Sequence, residues 1–196
     1  MAKASAPSRD RIVAGAADLI SRRGLNAASI REVARHAQAP LGSTYHYFPE
    51  GKQQLATEAV RYAGGAVARI LRKELDAGPV AGLRAFLALW RGIVVDSDFR
   101  AGCPVLAVSV EEPPAEEVGP ALVAAAEAFE EWERLLAQGL RDQGADPERA
   151  PGLAALIVAS VEGAIAMCRA KRTMRPLDQV AQQLEVLIAD ALARPA

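Results

Sequence analysis

The chain is 196 residues long, 51% apolar but only 5% aromatic, with 23 basic and 24 acidic side chains and a net charge of −1. That length holds one large helical domain, or a small domain followed by a larger one, and a core of mostly Ala, Leu and Val favours helices over strands. The nearest approach to a membrane-spanning run, Leu153 to Cys168, is broken by Glu162; the N-terminal MAKASAPSRDR has no apolar signal region, and Cys103 and Cys168 stand far apart, so a cytoplasmic protein with no membrane partner is expected.

The charge is unevenly placed. Residues 1–52 carry eight basic side chains against four acidic ones, a balance of +4, whereas the remainder carries 15 against 20, a balance of −5. Attraction for phosphate is therefore concentrated at the N-terminal end.

In chain order, residues 1–7 are small and polar and are expected to lack fixed structure. A first helix is predicted from about Ser8, with Ile12, Val13, Ala16, Leu19 and Ile20 inward, Gly24 closing it, and Arg9 or Arg11 within reach of a phosphate. Ser29 and Glu32 have the capping-box spacing, in which each side chain satisfies the other's free backbone N–H. The second helix accordingly begins at Ile30, with Ile30, Val33, Ala34 and Ala37 on one buried stripe and Arg31, Arg35 and His36 facing elsewhere.

Pro40 lacks an N–H and cannot continue that helix, but it suits the first turn of another. A tight turn and a third helix, roughly Leu41 to Phe48, follow. The positions Gly42, Ser43, Thr44, Tyr45, His46 and Tyr47 are small or carry polar tips. Small residues let a backbone approach a surface closely, and hydroxyls donate to phosphate oxygens or base edges. This is what the recognition helix of a helix-turn-helix requires. Lys52 opens the next helix, where its ammonium and the free N–H groups can together hold a backbone phosphate.

The fourth helix is predicted from Lys52 to about Asp76; at about 1.5 Å per residue it is on the order of 37 Å long, enough to enter a second domain. Gly64–Gly65 in its middle marks either a bend or a close helix crossing. A fifth helix, Val80 to about Val95, is apolar nearly all round, which implies burial inside a bundle. A turn at Phe99–Pro104, a short helix at Val105–Val110 and a break at Glu111–Pro114 precede helices over about Glu117–Gln143, Glu148–Arg172 and Leu177–Leu192. The last two expose more apolar surface than one bundle face needs, and Ser160, Gly163 and Ala164 would admit close helix approach. No repeat or strand pattern appears, so the expected fold is all-α: an N-terminal three-helix headpiece over 1–52 and a helical bundle over 53–196.

The segment SIREVARHAQAPLGSTYHYF resembles the helix-turn-helix of the TetR family of bacterial transcriptional repressors, with matches at Ser29, Ile30, Val33, Ala34, Gly42, Ser43, Tyr45 and Phe48. Gln38 stands where the family often has a turn Gly, Pro40 replaces a Ser at the recognition-helix start, and Gly51 is an extra residue before Lys52. The PEGK link and FRAGCPVLAVSVE, Phe99 to Glu111, resemble the LmrA/YxaF-like branch of drug-responsive repressors.

The resemblance implies contacts with an operator duplex from Ser29, Arg31, Leu41, Gly42, Ser43, Thr44, Tyr45, His46, Tyr47 and Lys52. It implies a homodimer through the last two helices, at Leu156, Ser160, Gly163, Ala164, Leu184, Leu187 and Ile188, reading a palindromic operator with half-sites about 34–36 Å apart. It also implies a small hydrophobic or aromatic effector in a cavity; Tyr62, Phe86, Trp90, Phe99, Cys103, Phe129, Trp132 and Met167 are either its lining or plain core. Cys103, beside Pro104 at a helix start, is either an oxidant sensor or a buried thiol.

Two other readings remain. A helical-bundle enzyme of the di-iron type needs Glu-x-x-His pairs on facing helices, but the histidines, His36 and His46, both lie in the headpiece and the Glu runs read as solvated faces. No catalytic residue, cofactor or metal is therefore expected. A protein-binding adaptor accounts for a bundle but not for a basic headpiece.

Overall fold

The computed structural model describes residues 9–111 and 119–193, and among them finds helices and no strand. In order these are α1 (Arg9–Arg23), α2 (Ile30–His36), α3 (Leu41–Tyr47), α4 (Lys52–Leu75), α5 (Pro79–Asp96), α6 (Pro104–Ser109), α7 (Pro120–Asp142), α8 (Ala150–Lys171) and α9 (Arg175–Ala193). The expectations for residues 1–7 and for a helix start at Glu117 lie outside the described residues.

The chain divides into two compact units interleaved in sequence, residues 1–64 with 104–126, and residues 65–103 with 127–196. These are not the two consecutive segments expected on either side of Lys52. In the first unit α1 packs against α2, α3 and α6, burying Ile12, Ala16, Ile20, Val33, Phe48 and Val105. A Cβ on Gly15 would stand 2.9 Å from Ala37 Cβ, so glycine sets how closely α1 and α2 cross.

In the second unit α5, α8 and α9 pack on one another around Phe86, Trp90, Ile157 and Ile165. Leu75 fills the space left by two glycines, since a Cβ on Gly82 or Gly139 would come within 2.5 or 2.8 Å of its Cδ2. Contrary to the expectation of all-round burial, α5 keeps one exposed stripe through Arg84, Ala88, Arg91 and Val95. Its arginines pair with α9, Arg84 Nε donating to Glu185 Oε1 at 2.8 Å and Arg91 bonding Asp178. Two long cationic side chains cover apolar surface while their heads stay wet, which a count of apolar residues does not reveal.

Helix α4 is continuous through Gly64–Gly65, and the two units divide between those glycines. A Cβ on Gly65 would meet only Arg69 Nη1, at 3.6 Å. Helix α8 is long and apolar enough by composition to cross a membrane. Its apolarity is spent on packing with α5 and α9 and on an outward face that includes Leu156 and Met167.

Candidate nucleic-acid interface

The interface is assembled by α2, the turn after it, and α3. Ser29 is the N-cap of α2, accepting from the Glu32 N–H at 3.2 Å. The reciprocal half of the expected capping box is absent, because the Glu32 carboxylate is taken by Arg35 and lies 3.8 Å from Arg23 Nη1, while the Ser29 N–H donates to Ala27 O. Ion pairing outcompetes the return bond. The stripe Ile30, Val33, Ala34 and Ala37 is buried as expected, and Arg31 and Arg35 are exposed.

The turn is a Schellman closure. The Ala39 N–H donates to Ala34 O at 2.8 Å and the Gln38 N–H to Arg35 O at 3.2 Å, with Gln38 at φ +52°. The left-handed position that a glycine would fill at least cost is thus held by Gln38, and Arg11 Nη2 donates to its carbonyl at 3.1 Å. Pro40 is the N-cap of α3 at φ −60°.

On α3, Leu41, Gly42, Tyr45 and His46 are exposed, Tyr45 to 55%, and Ser43 and Tyr47 are half-buried. Nothing lies within 4 Å of a Cβ placed on Gly42, so the fold does not demand glycine there; only an approaching partner would. Thr44 corrects the expectation: it is 0% exposed, its hydroxyl donating to Pro40 O at 3.2 Å. With Phe48, also 0% exposed, it forms the inward side of α3. Threonine's methyl packs and its hydroxyl is satisfied locally, so a polar residue on this helix need not face outward.

Most cations of the headpiece are already engaged. Arg9 bridges Glu58 at 2.5 Å and stacks on Phe48 at 5.3 Å. Arg22 and His36 both bond Asp18, at 2.8 and 2.6 Å; burial raises the Asp18 carboxyl, but those two bonds outweigh it and its pKa lies below the usual carboxylate value. Lys52 Nζ donates to Asn26 O at 3.2 Å, which leaves two of its three N–H donors for a phosphate. Gly51, at φ +75°, supplies the left-handed step that starts α4.

Glu111, read from sequence as part of a break, belongs to this unit. Its Oε1 accepts from the Leu25 N–H at 2.6 Å and its Oε2 from the Asn26 N–H at 2.9 Å. No local pattern could place residue 111 against residue 25.

The expected effector residues separate. Phe86, Trp90, Phe129 and Trp132 form one edge-to-face aromatic cluster, with centroids 5.4–6.5 Å apart. Phe99 instead lies beneath the Arg172 guanidinium, 5.6 Å away, in a loop where Asp98 and Phe99 both have positive φ. Tyr62 and Met167 are 45% and 47% exposed and line no interior of their own units, because both fall on the outward phase of their helices. Cys103 is a buried thiol. Of the expected dimer residues, Leu156, Gly163 and Leu187 are exposed and Ser160 is half-buried, whereas Ala164, Leu184 and Ile188 are buried where α8 and α9 pack together. Two grooves share Leu156 and Leu187, one running past Leu153 and Ala191 and the other past Ser160 and Val180.

Residues 12–59 match the bacterial regulatory proteins of the tetR family, and residues 79–183 match the C-terminal domain of LmrA/YxaF-like transcriptional regulators. An HTH-type transcriptional regulator of Mycobacterium tuberculosis is 43% identical, over 92% of this chain and 93% of its own. The YxaF regulator of Bacillus subtilis is 30% identical, over 92% and 95%. A TetR transcriptional regulator from Legionella pneumophila has the same fold, with a TM-score of 0.81 over 94% of this chain and 99% of that one at 20% identity. The chain therefore belongs to the TetR family of DNA-binding transcriptional regulators, in the LmrA/YxaF-like branch, and these are not enzymes.

Proposed function

We propose that this regulator is a repressor that binds a palindromic operator in the cytoplasm as a homodimer and is released by a small hydrophobic or aromatic effector. The observation that carries the reading is the outward side of α3: Leu41, Gly42, Tyr45 and His46 are exposed while Thr44 and Phe48 anchor the helix from behind. A short helix fixed on one side and bare on the other, flanked by Ser29, Arg31 and Lys52, fits a major groove with phosphates on either rim. Ser43 and Tyr47 are at the edges of that surface, and Thr44 is a support rather than a contact.

The α8–α9 face supports a second copy as partner, because its grooves are apolar and meet at exposed Leu156 and Leu187 beside Gly163, where nothing lies within 4 Å of a Cβ. The largely buried aromatic cluster of Phe86, Trp90, Phe129 and Trp132 is where an aromatic effector would have to insert, by displacing packed rings. Such a ligand acts only by binding the DNA-incompetent conformation better than the competent one.

The test is a mobility shift over the region upstream of the protein's own gene, with random duplex as competitor and salt varied. Sequence-preferring binding that weakens as salt rises is expected. Equal affinity for upstream and random duplex at every salt concentration would overturn the reading.

A further inference from the structure

The turn between α1 and α2 is held from two sides. Gly24 has φ +79°, and a Cβ there would stand 1.9 Å from Glu111 Oε1. The missing side chain leaves room for the carboxylate, and the next two N–H groups, Leu25 and Asn26, close on its two oxygens at 2.6 and 2.9 Å. Successive backbone N–H groups after a left-handed residue form a concave anion site, here filled by a side chain from the segment just after α6. On the far side of the same turn the Asn26 carbonyl accepts from Lys52 Nζ at 3.2 Å. One peptide segment thus receives a carboxylate on its N–H side and an ammonium on its C=O side.

We propose that Glu111 is a positioning residue for DNA binding: by clamping the α1–α2 turn it fixes the Asn26 carbonyl that aims the Lys52 ammonium. The inference rests on the reading that Lys52 meets a phosphate. Glu111 touches no DNA itself and acts through Asn26. Glu111 follows α6, which packs on α1 within the same unit. Losing the carboxylate frees the turn, and Lys52 then samples rotamers that no longer share one phosphate-facing geometry.

The experiment is a double-mutant cycle on affinity for the upstream duplex, using wild type, Glu111→Gln, Lys52→Ala and the pair. Glutamine keeps the shape but replaces one acceptor oxygen with an NH2 that faces an N–H donor. If Glu111 acts through Lys52, Glu111→Gln weakens binding by about three- to tenfold alone and adds nothing in the Lys52→Ala background. The slope of log affinity against log salt falls by about one in both single variants. Amide exchange at Leu25 and Asn26 quickens by at least about tenfold in Glu111→Gln, while Ile12 and Val33 stay protected, which shows that the fold is intact. Gly24→Ala, which expels the carboxylate from the other side, should reproduce the affinity loss.

Additive losses in the cycle, or wild-type affinity in Glu111→Gln, overturn the inference while leaving the repressor reading intact. A wild-type chain with no preference for the upstream duplex overturns both.

Discussion

Glu162 gives the sharpest quantitative test of the structure. It sits on α8 at 3% exposure, and neither of its carboxylate oxygens has a hydrogen-bond partner among the described residues. Burial pushes its pKa from 4.5 to about 8, with the nearby Cys103 thiol acting in the opposite direction. A carboxyl whose folded-state pKa is raised favours folding while protonated in both states, and that advantage is lost as pH rises from the unfolded value through the folded one. At about 1.4 kcal/mol per unit, the gap between 4.5 and about 8 amounts to on the order of 5 kcal/mol, a large share of the whole stability of a typical domain.

Glu162→Gln keeps the shape and removes the titration. Wild type and variant should nearly coincide at pH 5, and the variant should melt roughly 10 °C higher at pH 8.5, given about 2–4 °C per kcal/mol for a chain of this size. Every other titrating group is common to both proteins and cancels in the comparison. Thermal unfolding followed by circular dichroism from pH 5 to 9 reads the difference directly. Parallel melting curves across that range would show that water or a rearrangement satisfies the carboxylate, and the burial argument would be wrong.

Three further outcomes follow from the headpiece and the α8–α9 face. Gln38→Gly should raise stability by about 0.5–1 kcal/mol in denaturant unfolding, since the residue already sits at φ +52°; a loss would mean that its side chain contributes more than its backbone costs. Tyr45→Ala, at a 55% exposed site, should leave unfolding within about 0.5 kcal/mol of wild type and weaken DNA binding about tenfold, whereas Thr44→Val should cost about 1 kcal/mol of stability with DNA affinity unchanged. The opposite pattern in either would reverse their assigned faces. Leu156→Glu with Leu187→Glu should weaken self-association at least about 100-fold by placing unpaired charge in an apolar contact, measured by sedimentation; a chain that remains dimeric would put its partner elsewhere.

What the sequence disclosed was whatever depends on neighbours within a turn or two. Ile30, Val33, Ala34 and Ala37 sit at helical spacing, and the helix they form needs no distant partner to declare its buried side. Pro40 marks the start of α3, at whose N-cap it stands, whereas α2 is already closed at the left-handed Gln38. The glycine-like role of Gln38 was visible as a departure from the family pattern, and its positive φ is the backbone's answer to that departure.

What stayed hidden depends on phase and on distance. Thr44 and Tyr45 are adjacent polar residues on one short helix, and which of them turns inward is decided by the surface α3 packs on rather than by chemistry both share. The same ambiguity put Ala164, Leu184 and Ile188 among expected interface residues, though α8 and α9 bury them against each other. Glu111 and Glu162 are the stronger cases, because a glutamate in an apolar or Pro-flanked stretch carries no sign of its partner. One of them is bonded across 85 and 86 residues of chain, and the other has no bonded partner among the described residues. Local composition assigns the run that holds Glu111 to solvent, since water is the usual partner of a carboxylate, and shows Glu162 only as a break in an apolar run. Only the tertiary fold decides whether water has been replaced by two backbone N–H groups or by none, so the two glutamates carry opposite consequences for stability.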